Sequence, residues 1–265
     1  IIVSIPTPND TIWLECTSQT NPFGYLGTFT GDRKALMITE TGGKLVNTVR
    51  YTREQNTQIR NAEVNVHLSG DAVAKVNTTY TGLQYETEDL NFYLNKESDD
   101  QRKWIQENTN IPSFDITAFT MVNKKDRIPS AIVTTELNLK RFATISGKRI
   151  FITPNLMNRS TLLPEKLESR KTKVVARAAY IDIDTIHYHL PEGIYPEYLP
   201  APVKISSRFG EYEINYILND GDLVYIRKLK MNKGEYPAES YNELVEFYRG
   251  LNKADNAKVV FLSKT

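Results

Sequence analysis

Cysteine and histidine are scarce in this chain: Cys16 stands alone, and the only histidines are His67, His187 and His189 in 265 residues. One thiol closes no internal disulfide, so a disulfide-built scaffold is excluded, while a reducing compartment and a bacterial periplasm both accommodate the composition. No apolar run approaches the roughly 20 residues that cross a bilayer, so no membrane span is expected. Neither charge sign is in excess, with 33 basic and 32 acidic residues and a net charge of +1. A nucleic-acid binder normally carries a basic surplus or a basic face. The densest basic stretch, 166–177, carries Glu168, follows Glu165 and reads as a solvated linker. There is no glycine-rich phosphate loop, no Ser/His/Asp set and no amphipathic basic helix. No cofactor and no nucleic-acid partner are expected.

What is present is ordinary for a folded protein: 40% hydrophobic and 25% charged residues. The length suits about two domains. The opening Ile1-Ile2-Val3-Ser4-Ile5 is strand-like and does not begin with Met, so the chain reads as a piece of a longer protein. Residues 1–5 and 11–16 form a predicted hairpin around Pro6-Thr7-Pro8-Asn9-Asp10. A glycine- and aromatic-rich loop follows over 18–33. Thr41-Gly42-Gly43 then turns between strands 35–39 and 44–51.

Beyond residue 60, strand, hairpin, helix and strand occur twice at an offset of about 150 residues. In the first pass Glu63-Val64-Asn65-Val66-His67-Leu68 alternates, turns at Ser69-Gly70-Asp71 and continues over 72–80. A helical region covers 83–108, divided by a capping box at Ser98-Asp99-Asp100-Gln101, and a strand spans 114–122. Strands 132–139 and 149–153 are additional, the latter after a turn at Ser146-Gly147-Lys148. In the second pass Glu213-Ile214-Asn215-Tyr216-Ile217-Leu218 alternates, turns at Asn219-Asp220-Gly221-Asp222 and continues over 223–231. A helix is predicted from Pro237 to a cap at Gly250. Its apolar face is Tyr241, Leu244, Val245, Tyr248 and Leu251, and strand 258–262 closes the chain. Many short strands with few helices predict a mainly β, α+β fold of tandem antiparallel β-sandwich domains with accessory helices. The expected divisions are 1–35, 36–156 and 157–265.

One motif carries more information than the rest. Trp13-Leu14-Glu15-Cys16-Thr17 ends a predicted strand as Trp-x-acid-x-Thr. Ser18-Gln19, Pro22-Phe23-Gly24-Tyr25-Leu26-Gly27 and Gly31-Asp32-Arg33-Lys34-Ala35-Leu36 follow it. Together these residues resemble the end of the transglutaminase-like (papain-type) core of large bacterial proteins, in which β-domains of unknown function flank the core. The last hundred residues are similar to the terminal one of those domains at Leu190-Pro191-Glu192-Gly193, Leu199-Pro200, Phe209-Gly210-Glu211-Tyr212, Tyr241 and Phe247. Such a core needs a cysteine nucleophile, a histidine base and an acid that orients the histidine. The resemblance makes Glu15 that acid, where aspartate is commoner. It places the histidine just before Ile1 and the cysteine further upstream. It therefore implies a non-catalytic C-terminal accessory region whose partner is the upstream core. Peptide, protein or glycan are further candidate partners, and a periplasmic or secreted location is implied by the resemblance only. An open edge or apolar patch near residues 1–35 should await the core.

Other candidate sites have simpler readings. Cys16, next to Glu15 on a predicted strand, should point away from it and be a buried thiol. His187 and His189 share one face of the predicted strand 180–190, with Asp182 and Asp184 on the other, so no metal site is expected. His67 is expected to be structural. Ten of the fifteen tyrosines fall between Tyr180 and Tyr248. They suit either a glycan- or protein-binding face, the alternative function for this chain, or the wall of a half-buried sheet. Tyr241, Tyr248, Trp13 and Trp104 are expected in the core.

Overall fold

The computed structural model describes residues 1–219 and 221–264. Two small hairpins lead. Strand β1 (Ile2–Pro6) pairs with β2 (Thr11–Glu15), and after a single helical turn, α1 (Gly27–Thr30), β3 (Lys34–Thr39) pairs with β4 (Gly42–Asn47). The longest strands come next. β5 (Thr57–Val66) and β6 (Ala72–Thr81) form a hairpin, and helices α2 (Leu90–Tyr93) and α3 (Ser98–Glu107) lead to β7 (Phe114–Lys124) and β8 (Ser130–Leu139). Short strands β9 (Thr144–Ser146), β10 (Arg149–Ile152) and β11 (Val174–Ala176) precede β12 (Tyr180–His189). The chain continues with β13 (Ile194–Tyr198), β14 (Val203–Ser207), β15 (Gly210–Asn219), β16 (Asp222–Met231) and β17 (Gly234–Tyr236). Helix α4 (Tyr241–Asp255) and β18 (Val259–Ser263) complete it.

The fold is mainly β with accessory helices, as the strand-and-turn pattern implies. Its spine is one eight-stranded sheet in the order β14-β15-β16-β12-β5-β6-β8-β7. Every pairing is antiparallel except at the centre, where β12 runs parallel to β5 from Ile181↔Thr57 to His189↔Asn65. This seam joins two four-stranded halves across the division expected at 157, and it is the one departure from an all-antiparallel sheet. The two Glu-apolar-Asn-apolar segments do not occupy equivalent places. Glu63 lies on the central β5, whereas Glu213 lies on β15, next to the edge strand β14. Their likeness reflects the common alternation of half-covered strands.

Alternation decides which face is covered. Ala62, Val64 and Val66 on β5 point the same way as Ala74 and Val76 on β6, Leu137 on β8 and Ile186 and Tyr188 on β12, and all are buried. A second sheet, β13-β18-β10-β9, covers this face together with α4, through Ile150, Ile152, Val259, Phe261, Phe247 and Leu251. Helices α2 and α3 cover its other end, packing Leu90, Trp104 and Ile105 on Tyr80, Ala131 and Val133. The opposite sheet face carries polar side chains such as Asn61, Glu63, Lys75 and Asn77 and stays exposed.

Several local expectations are corrected. The helical region over 83–108 breaks because Glu88 and Asp89 take positive φ of 45° and 59°. No capping box forms at Ser98; the N-cap is Glu97, without a side-chain bond, and the Gln101 amide donates to Lys96 O at 3.1 Å. Helix α4 does not stop at Gly250 but continues to Asp255, because Leu251 and Ala254 extend its buried face. Gly250 serves close packing instead: a Cβ there would meet Ile205 Cδ1 of β14 at 2.7 Å. The expected turn at 219–222 includes Asp220, which lies outside the described residues.

Polar groups are buried at the seam. Arg60 of β5 donates to Asp184 of β12 at 3.0 Å, and Arg227 of β16 donates to Asp184 at 3.3 Å and to Asp255 of α4 at 2.9 Å. All four side chains are at most 4% exposed. Thr78 accepts from Arg60, Asn158 donates to both Asp184 oxygens, and Asn155, Tyr212 and the Ser160 amide donate to Asp255. Two cations and two anions leave the cluster neutral, and these bonds meet the lone pairs that a buried carboxylate must satisfy.

Asp184→Ala would leave both guanidiniums short of a carboxylate. It should cost about 3–5 kcal/mol, read as a lower urea midpoint at unchanged slope; a loss below about 1 kcal/mol would mean that water reaches the cluster. Asp182, two residues away on the same face, accepts from the Gln84 amide at 2.7 Å. Burial pushes its carboxyl up to about 7 from 3.8, with Asp184 adding to the rise and Arg227 and Arg60 opposing it. The protonated form is favoured by the fold, so this contribution is full below pH 3.8 and is lost as pH rises through about 7. Asp182→Asn should therefore match the parent near pH 4 and exceed its stability near pH 8. Parallel stability profiles of the two proteins would rule this out.

Candidate functional site

The Trp-x-acid-x-Thr motif closes on itself. Trp13 packs inward at the middle of β2, and Glu15 ends the strand opposite Ile2. The spacing to Thr17 lets the strand end turn its acid onto the next hydroxyl. Glu15 Oε1 accepts from the Thr17 amide at 2.9 Å and the Thr17 hydroxyl at 2.6 Å, and Oε2 accepts from the Thr30 hydroxyl of α1 at 2.7 Å. Partial burial pushes the carboxyl up, but the Thr17 and Thr30 donors outweigh it and hold the pKa below the usual value. The result is an ionised, oriented carboxylate. Among the described residues no hydrogen bond joins it to a histidine or to Cys16.

Cys16 is exposed, which corrects the expectation of a buried thiol. The strand ends at Glu15, so alternation no longer sets the direction of the next side chain. His67 sits in the turn after β5, where its amide donates to Asp71 O at 2.9 Å. Its side chain is exposed. Gly70 closes that turn at φ 87°, and a Cβ there would meet Ala143 O at 2.8 Å.

His187 and His189 do share the open face of β12, opposite Asp184. His189 lies between two carboxylates, with Nε2 2.8 Å from Glu63 and Nδ1 3.0 Å from Asp222. The acids occupy opposite nitrogens, so they clamp the ring across the seam and cannot converge on one ion. The Glu63 hydrogen bond raises the His189 pKa; desolvation opposes it and Asp222 adds to the rise. Among the described residues, no group of three His, Cys, Asp or Glu side chains could hold a metal ion.

The tyrosines of 180–248 do not make a platform. Tyr188, Tyr212 and Tyr225 are fully buried, and only Tyr195 and Tyr198, both on β13, are exposed. Tyr188 donates to Pro154 O at 2.6 Å. The tyrosines are mainly sheet wall.

Exposed apolar side chains gather elsewhere. Ile1, Val3, Ile5, Phe23, Phe29, Leu36, Ile38 and Leu45 all lie on the two N-terminal hairpins and the loop between them. Phe29, Leu36 and Ile38 are 75%, 65% and 78% exposed. Between the hairpins lies a groove of about 670 Å³, lined by Ile2, Val3, Trp13, Phe29, Leu36 and Ile38 among others. Each hairpin is an isolated two-stranded sheet with bare outer edges. Sequence reasoning reached this patch through Glu15 but stopped at residue 35, and β3 and β4 extend it to Leu45. No helix among the described residues is long and apolar enough to cross a membrane.

Residues 148–261 match the model of a family described as a domain of unknown function with a solved structure (DUF3858). The match begins at β10, whose partner strand is β18, ahead of the division expected at 157. No curated protein matches the chain. Among solved structures, the chain is similar to one from Parabacteroides distasonis titled a "putative protease". The two share 14% identity at a TM-score of 0.37, over 44% of this chain and 24% of that one.

Proposed function

We propose that this chain is the non-catalytic C-terminal accessory region of a transglutaminase-like cysteine hydrolase or acyl transferase, which packs against the core and borders its cleft. One observation carries the reading: the exposed apolar groove between two isolated hairpins over residues 1–45. A two-stranded sheet is marginal alone in water, and a contiguous apolar patch on a soluble chain marks a surface that another body covers. The family match over 148–261 supports the reading from the other end of the chain, where a domain of unknown function is expected. In this proposal residues 1–35 are the last hairpin and loop of the core. Residues 36–156 are a β-rich domain with helices, and 157–265 form the terminal domain. Glu15 is the orienting acid, held ready by Thr17 and Thr30, and inert here without its histidine and cysteine.

The test is a longer protein that continues upstream of Ile1. Amides of residues 1–45 should exchange with deuterium more slowly there than in this chain, and binding of a hydrophobic dye should fall. Equal exchange in the two proteins would end the packing proposal. In the same longer protein, Glu15→Gln should slow alkylation of the core cysteine by iodoacetamide about tenfold, by loosening the base that keeps the thiolate. Cys16→Ser should leave that rate unchanged. A Glu15→Gln protein alkylated at the parent rate would remove Glu15 from the triad.

A further inference from the structure

A second concavity, of about 1490 Å³, lies between the loop around α1, residues 50–54, and the β11–β17 strand pair with residues 177–179 after β11. It is distinct in chemistry from the apolar groove, although Phe29 and Arg33 line both. Six cations line it, Arg33, Arg50, Arg53, Arg177, Arg208 and Lys233, against three carboxylates, Asp32, Glu54 and Glu235.

Internal pairing does not neutralise them. Arg50 and Lys233 share the single carboxylate of Asp32. Arg53 is 3.5 Å from Glu54, and Arg208 pairs with Glu243. Glu235 pairs with Lys173. That leaves Arg33 and Arg177 with no carboxylate partner among the described residues. The Arg33 guanidinium donates to Phe29 O at 3.4 Å, and both side chains are exposed.

Two further features shape the cleft. β11 and β17 form a two-stranded sheet, so each keeps a bare edge whose amides and carbonyls are free to pair with an added strand. Phe29, 75% exposed, and Val175, 54% exposed, offer apolar contacts beside the cations.

We propose that this cleft binds an extended acidic peptide segment, in which Asp or Glu alternates with apolar residues. Alternation in an extended peptide sends its carboxylates to one side, toward Arg33 and Arg177, and its apolar side chains to the other. A peptide also suits the three interleaved carboxylates, because its N–H groups donate to them. A nucleic-acid backbone, with one charge at every phosphate, would meet Asp32, Glu54 and Glu235 in repulsion. The inference goes beyond the packing role of residues 1–45: five of the six cations line the cleft alone, and Arg33 borders the apolar groove as well.

The test is fluorescence anisotropy with a fluorescein-labelled peptide of alternating glutamate and leucine, about eight residues long, which extends over roughly 25 Å. The parent should bind it, more weakly as salt is raised from about 50 mM to about 500 mM. Arg33→Glu combined with Arg177→Glu should weaken binding by at least about tenfold. Both side chains are exposed, so thermal unfolding of the double variant should match the parent. A peptide with lysine in place of glutamate should not bind. The proposal fails if the parent does not bind, if the double variant binds as the parent does, or if the lysine peptide binds equally. Tighter binding of a labelled single-stranded DNA than of the glutamate peptide would also overturn it.

Discussion

The chain of buried charges from Arg60 through Asp184 and Arg227 to Asp255 is the constraint on which the architecture turns. It crosses the parallel seam, so it belongs to neither half of the sheet alone. Removing four charges from water is expensive, and only complete pairing makes it tolerable. That requirement fixes the register of β5 against β12. A slip of one residue would turn Arg60 to the open face and leave Asp184 without it. Apolar pairs further along the seam, such as Ala62 with Ile186 and Val64 with Tyr188, would tolerate a two-residue slip far better than the ionic pair does. The terminal helix is held by the same cluster, because Asp255 is its last residue and receives Arg227, Tyr212 and Asn155 together.

The N-terminal 45 residues are built on different terms. They have two small hairpins, no shared strand with the main sheet, and a surface rich in exposed apolar side chains. Their polar attachments to the body include Asp10 to Arg127 at 2.6 Å, Thr28 to Glu86 at 2.6 Å, Asn91 to Thr20 at 3.2 Å, and Asp32 to Lys233. Tyr25 and Leu26 are buried, Tyr25 against Tyr51 and Tyr85 with its hydroxyl donating to Gly82 O at 2.9 Å. Glu15 shows how a short motif encodes geometry. The threonine two residues on is the donor that fixes the acid, so the pattern reports a local hydrogen-bonded unit whichever chemistry lies beside it.

Much of this was legible in the sequence. Alternation located the long strands, and the Ser69-Gly70-Asp71 turn was explicit because few residues accept a positive φ. Five short strands, β9, β11, β13, β14 and β17, escaped notice. β11 and β17 are too short to show a period, and β13 contains Pro196 at a register shift on an edge. The continuity of the sheet was hidden for a deeper reason: a parallel pairing leaves no turn in the sequence to announce it. The buried charges were also missed: Arg60 falls in the apolar phase with Ala62 and Val64, and Arg227 with Tyr225 and Leu229, but nothing local in the sequence names the acids that pair with them. For the candidate site, the acid and the patch around it were found through resemblance. The basic cleft was not, because its cations are scattered over 33–233 and only the fold collects them.

The parallel seam also sets the order in which this protein can assemble. Arg60 and Asp184 are 124 positions apart, whereas β5 with β6 and β15 with β16 are local hairpins that close early. Each half can thus form its antiparallel strands first, and in that interval β5 is a bare edge whose Arg60 has no carboxylate, while Asp184 on the bare edge β12 has Arg227 of its own half. Charges on the inner face of a half-built sheet's edge discourage pairing with a stranger's strand. The same charges become internal only when the right halves meet. The cluster that costs most to bury is then also what keeps the unfinished halves from sticking to the wrong neighbours.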